Sequence, residues 1–122
     1  MSVNKVFLLG NVGSDPEVRS IMGGAKVATL RIATGERYKD RSGETHENTE
    51  WHTVTVWNQP AEFVEKYVFK GSQVFVEGKL TTRSWSDESG KKRYATEVKA
   101  DRIQLIGKKE RPQEEDMPDF LR

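Results

Sequence analysis

The chain has 122 residues, 34% of them hydrophobic and 32% charged, with Lys+Arg 20 against Asp+Glu 19. That length suits one domain and is short for two, and no apolar run approaches the roughly 18 residues a membrane-crossing helix needs. The absence of Cys excludes disulfides, thiolate zinc sites and cysteine nucleophiles together, while the near balance of charge spares the chain self-repulsion, so that a small core can form.

The charge is unevenly spread. Residues 113–121 carry Glu114, Glu115, Asp116 and Asp119 and no base. Residues 1–112 carry 19 basic and 15 acidic side chains, an excess of +4. A mildly basic body with an acidic end fits a polyanionic partner, although such an excess is also ordinary for a solvated domain. The first residues show neither a basic segment ahead of an apolar stretch nor a small-residue cleavage site, so a cytoplasmic protein without membrane attachment is expected.

Val outnumbers Leu 12 to 6 and Thr is frequent, a composition that favours strands. Five strands and one helix are expected. The first strand covers 4–12, and Asp15-Pro16 breaks it. A short extended piece at 17–21 leads into Gly23-Gly24. The second strand covers 26–37, a polar loop 38–49, and the third strand 50–57. Pro60 suits a first helical turn with Glu62 behind it to complement the dipole, and Phe63, Val64, Tyr67 and Val68 form one apolar stripe ending at Gly71. The fourth strand covers 73–85, a hairpin loop 86–92, and the fifth strand 93–106. In that last strand Val98 and Ala100 share one parity and Ile103 and Leu105 the other, which a bulge near Asp101 reconciles. Three strands, a helix and two strands fit a five-stranded Greek-key barrel of the oligonucleotide-binding (OB) type over residues 1–106, with a β-sandwich as the alternative; residues 107–122 read as a flexible acidic tail.

Alternation in the third and fourth strands carries the functional information. His52, Val54 and Val56 share one face, and Trp51, Thr53, Thr55 and Trp57 the other. Val74, Val76 and Leu80 likewise oppose Phe75, Lys79, Thr81, Arg83 and Trp85. With the valines inward, the outward faces combine Trp, Thr, Lys and Arg. An exposed indole stacks on any base for about 1–3 kcal/mol, and cations beside it meet phosphates and release counterions. A lone Trp is more often packed inside or at a subunit contact; three at matching parity with basic neighbours favour a binding surface. Tyr38-Lys39-Asp40-Arg41 and Lys91-Lys92-Arg93-Tyr94 add aromatics and bases at the two loops, although Glu44, Glu47, Asp87 and Glu88 there are equally compatible with solvated turns. The first strand is apolar on both faces, Val6 and Leu8 against Phe7 and Leu9, which points to self-association or to cover by the protein's own loops. Catalytic and metal patterns are absent: His46, Glu50 and His52 match no metal-binding or paired-acid motif, and neither a catalytic residue, a metal nor a cofactor is expected.

The segments VNKVFLLGNVGSDPEVR, ENTEWHTVTVWN, YVFKGSQVFVEGKLTTRSW and RYATEV resemble the bacterial single-stranded DNA-binding protein family over about residues 3–106. The resemblance implies an OB barrel that forms homotetramers, wraps single strands and does no catalysis, in a cytoplasmic, nucleoid-associated setting of replication, recombination and repair. It places base-stacking aromatics at Trp51, Trp57 and Trp85, with Tyr38 where a Trp is common, and backbone-contacting bases at Lys5, Arg19, Arg41, Lys70 and Arg83; parity adds Lys79. His52 falls at a position important for tetramer assembly, beside an interface expected to use Val6, Phe7 and Leu9. Thr53, Gln59, Thr81 and Ser84 stand where bases are often found. The family's long linker is missing and its terminal Phe is replaced by EEDMPDFLR, so docking of replication and repair proteins would use Asp116, Met117, Pro118 and Phe120 without a terminal carboxylate on the Phe.

Overall fold

A computed structural model of the chain describes residues 1–107. The strands are β1 (Val6–Val12), β2 (Glu17–Ser20), β3 (Lys26–Lys39), β4 (Thr45–Trp57), β5 (Gln73–Ser86) and β6 (Lys92–Gly107), with α1 (Gln59–Tyr67) between β4 and β5. They form one sheet in the order β1-β5-β6-β4-β3-β2, and β1 also pairs with β3. Five strands therefore close into a barrel, with β2 added outside β3. Pairings are antiparallel except for a short parallel contact of β4 with β6 at Val54↔Val98 and Thr55↔Lys99. This is the OB barrel expected from the element order. No helix among the described residues is long and apolar enough to cross a membrane.

Inward parity builds the core. Leu8 and Val12 of β1, Ala28, Leu30 and Ile32 of β3, Val54 and Val56 of β4, Val74 and Val76 of β5 and Val98 of β6 are all buried. Each large aliphatic side chain so removed from water contributes about 1.5–3 kcal/mol. Helix α1 caps the barrel with Ala61 and Val64, and Val68 follows just beyond it. Tyr67, expected in the apolar stripe, is exposed and packs on Phe63 at 5.3 Å. The helix also stops at Tyr67, short of Gly71, because Val68 is already extended.

Closure depends on Gly10. There β1 passes from β5 to β3, and a Cβ would overlap the Ala33 carbonyl oxygen, so only a glycine lets the strands approach this closely. The bulge expected in the last strand is present: Gly78 faces Ala100 while Glu77 faces Arg102, leaving Asp101 as the extra residue.

The largest difference from expectation lies in the polar stretch 38–49. Most of it is strand, since β3 and β4 pair out to Lys39↔Thr45 and leave only a short tip. The arm lies beyond the core, so both its faces are wet and it lacks the alternation that marks a half-buried strand. The β5–β6 hairpin extends in the same way to Ser86↔Lys92, and Leu80, expected inward, is half exposed at its root. The two tips are chemical twins. In each, one Asp carboxylate oxygen accepts from a Ser backbone N–H, the Ser hydroxyl and a second backbone N–H: Asp40 from Ser42 and Glu44, Asp87 from Ser89 and Lys91. Gly43 and Gly90 take φ of 84° and 82°, a left-handed backbone that glycine adopts without strain.

Candidate nucleic-acid interface

The outward residues of β3, β4, β5 and β6 line a shallow groove of about 570 Å³, completed by Arg19 of β2. Thr29, Thr53, Thr55 and Thr81 supply hydroxyls, Trp57 an aromatic wall, and Arg83 and Lys99 cations. Position follows from register. Trp57 lies across from Val27, Thr55 from Thr29, and Thr81 from Glu97, so residues far apart in sequence share one face.

Each of the three tryptophans is accompanied by its own cation. Arg31 lies 5.8 Å from the Trp51 ring centre, Arg83 4.8 Å from Trp85, and Lys99 5.4 Å from Trp57. Trp51 and Trp85 are 52% and 43% exposed. Trp57 is half-buried, and its Nε1 has no hydrogen-bond partner among the described residues. The Trp51 ring rests against Gly13, whose Cβ, had it one, would fall on the ring. Gly10 thus lets the barrel close, and Gly13, three residues on, seats an indole. Lys79 and Lys99 stand directly opposite each other across β5 and β6. Two like charges in that position repel.

Tyr38 sits on the β3–β4 arm, exposed, with the His46 ring stacked on it at 5.3 Å. Arg41 is exposed at the tip beyond it. Asp40 holds the turn, and its carboxyl is lowered to about 2, chiefly by the Ser42 hydroxyl and then by His46, whose Nε2 lies 2.7 Å from Oδ2. Asp87 is lowered for the same reasons, with Ser89 first and Arg93 second. Asp40, Glu44 and His46 bring ligand-type atoms within 4.8 Å of one another, but both Asp40 oxygens are already engaged by the turn and the imidazole.

Of the expected phosphate contacts, Arg19 and Arg83 line the groove, whereas Lys5, Arg41, Lys70 and Lys79 lie outside its lining; of the expected aromatics Trp57 lines it, and Tyr38, Trp51 and Trp85 stand beyond it. Lys5 pairs with Glu77 at 3.7 Å beside Phe7, and the exposed Lys70 donates its backbone N–H to Asp15. Phe7 and Leu9 are exposed on the outer face of β1, where Phe7 stacks on Phe75 at 6.2 Å. Val6, expected with them, turns instead against the core because alternation puts it on Leu8's side. His52 is half-buried and hydrogen-bonded to Thr34 at 2.8 Å, on the opposite parity from Trp51. Asp116, Met117, Pro118 and Phe120 lie outside the described residues.

A model of the single-strand binding protein family matches residues 3–106. The chain belongs to that family. It is a DNA-binding family, not one of enzymes. The chain is 56% identical over 99 residues to the single-stranded DNA-binding protein of Rhizobium meliloti (strain 1021), a match covering 80% of this chain and 57% of that relative. It therefore spans less than two-thirds of the relative's length. Among solved structures it is similar to the Plasmodium falciparum SSB in complex with ssDNA, with a TM-score of 0.76 at 36% identity over 87% of this chain and 95% of that one. A deletion variant of the single-stranded DNA-binding protein from Thermus aquaticus also gives 0.76, at 31% identity over 88% and 52%.

Sequence reasoning missed Glu97 and Lys99 in this family member's groove and Arg31 beside Trp51. Arg31 alternates with buried Leu30 and Ile32, so its parity alone could have found it. Glu97 and Lys99 flank buried Val98, but the parity slip at Asp101 obscured which face they share.

Proposed function

We propose that this chain binds single-stranded DNA without regard to sequence and performs no catalysis. Bases stack on Trp51, Trp57, Trp85 and Tyr38, and phosphates meet Arg19, Arg31, Arg41, Lys79, Arg83 and Lys99. The pairing of each indole with a cation carries this reading, because one nucleotide offers a π-face and a phosphate to the same spot. Lys5 and Lys70, outside the groove, serve a strand that continues around the body. The biological role is to keep exposed strands open and shielded during replication, recombination and repair at the nucleoid. The apolar outer face of β1, with Phe7 and Leu9, supports assembly into a homotetramer, with His52 at a second contact. Replication and repair proteins dock on the acidic tail through Asp116, Met117, Pro118 and Phe120.

Titration with oligothymidine tests this. Binding should quench tryptophan emission, and the log–log salt dependence should fall by about 0.7 per phosphate neutralised. Unquenched emission together with no salt-dependent binding would overturn the reading. Light scattering with and without the oligonucleotide gives the assembly state.

A further inference from the structure

Among the described residues that line it, the cationic groove contains one acid. Glu97 projects from β6 between the groove's bases, directly across from Thr81 and diagonal to both Lys79 and Arg83. Its Oε1 accepts from Arg83 Nε at 2.6 Å. The two partners are unequally placed: the Glu97 side chain is 11% exposed, whereas that of Arg83 is 65% exposed. The carboxylate is thus the fixed member and the guanidinium the outer one. The same guanidinium lies over Trp85 at 4.8 Å.

We infer that Glu97 is an internal phosphate stand-in that restrains the affinity of the groove by occupying Arg83. This rests on the nucleic-acid reading of the same face. Arginine grips a phosphate best through two parallel N–H donors, and Glu97 takes the Nε donor, which removes the side of the guanidinium that includes it. A phosphate must displace the carboxylate or settle for the remaining donors beside a negative charge. Each route weakens binding and offsets the counterion release that Arg83 would otherwise contribute, because the negative charge of Glu97 stays beside the phosphate. The consequence is a strand held firmly yet released readily, with Arg83 returning to Glu97 as the DNA leaves.

The test compares the full chain with Glu97→Gln, Arg83→Gln and the double variant, each titrated with oligothymidine and oligodeoxycytidine across a salt series. Gln keeps the shape of Glu97 and deletes its charge. Glu97→Gln should tighten oligothymidine binding by about tenfold at low salt, the scale of one charge-assisted hydrogen bond. It should also steepen the salt slope by roughly 0.7, one more phosphate contact. In the Arg83→Gln background the same change should lose most of that gain, because the restraint acts through Arg83. An unchanged affinity and slope for a folded Glu97→Gln would overturn the inference while leaving DNA binding by the wild-type chain intact. A loss confined to oligodeoxycytidine would also overturn it, since Glu97 would then accept from the cytosine amino group instead of guarding Arg83. Failure of the wild type to bind either oligonucleotide would refute the underlying function itself. If Glu97→Gln did not fold, Glu97→Asp provides the second arm: the shorter carboxylate draws back from Arg83 and should tighten binding in the same direction.

Discussion

Replacing Gly13 by Ala probes the seat of Trp51 without touching the indole. A Cβ at Gly13 would stand 2.6 Å from Cη2 of Trp51 and closer still to Cζ3. Carbon atoms pack comfortably at about 3.5 Å or more, so the ring must withdraw by roughly 1 Å. Gly13 is not among the positive-φ glycines, so alanine suits its backbone, and Trp51 is half exposed and free to move. The cost therefore falls on binding more than on folding. A gap of this size forfeits about a quarter to a half of a van der Waals contact, which for a base stack of about 1–3 kcal/mol means a loss near 1 kcal/mol, or about fivefold in Kd. Oligothymidine titration followed by tryptophan emission measures it, with urea unfolding as the control for stability. In a Trp51→Ala background the Gly13→Ala change should be silent, because the two act through the same ring. A Gly13→Ala protein with full affinity and unshifted emission would refute the assignment of Trp51 to stacking against a fixed seat.

Trp57→Phe should leave stability unchanged or raise it by about 1 kcal/mol, since it deletes a buried N–H that lacks a partner among the described residues while keeping an aromatic wall; urea unfolding checks this, and a loss above about 2 kcal/mol would show that the indole packs more tightly than this nitrogen implies. The Asp40 carboxyl, followed by carbon-13 shift, should titrate at about 2 instead of 3.8, and Ser42→Ala should raise it because the Ser42 hydroxyl is the largest cause. A carboxyl depressed in the folded state supports the fold above its unfolded pKa, so the Asp40 turn should keep its contribution at neutral pH and lose it as the pH falls from about 4 towards 2.

What the sequence disclosed depended on where water lies. Barrel strands have one face on the core, so Val54, Val56, Val74 and Val76 alternate cleanly with Trp51, Thr55 and Arg83, and the outward face was legible from parity. The bulge at Asp101 was legible for the same reason, as a slip of phase in a half-buried strand. The arms were not, because Glu36, Arg37, Glu47 and Asn48 pair in regular register with water on both sides. Polar content there looks the same in a ribbon and a loop. The Arg83–Glu97 contact lay out of reach as well, since it needs the cross-strand register of β5 with β6, which a single chain of letters does not state.

The matched tips of the two arms bear on how a flexible polymer is captured. Both are stapled by an aspartate within five residues, so the ribbons that carry Tyr38, Trp85 and Tyr94 end as outriggers whose turns the chain's own hydrogen bonds already hold. Had they been floppy fingers, immobilising them would cost about 0.5–1.5 kcal/mol for each rotamer-rich side chain frozen on docking. Turns already held in this way leave the disorder that must be surrendered mostly on the nucleic acid, so slack, unstacked stretches should be gathered more readily than those already stiffened by their own stacking.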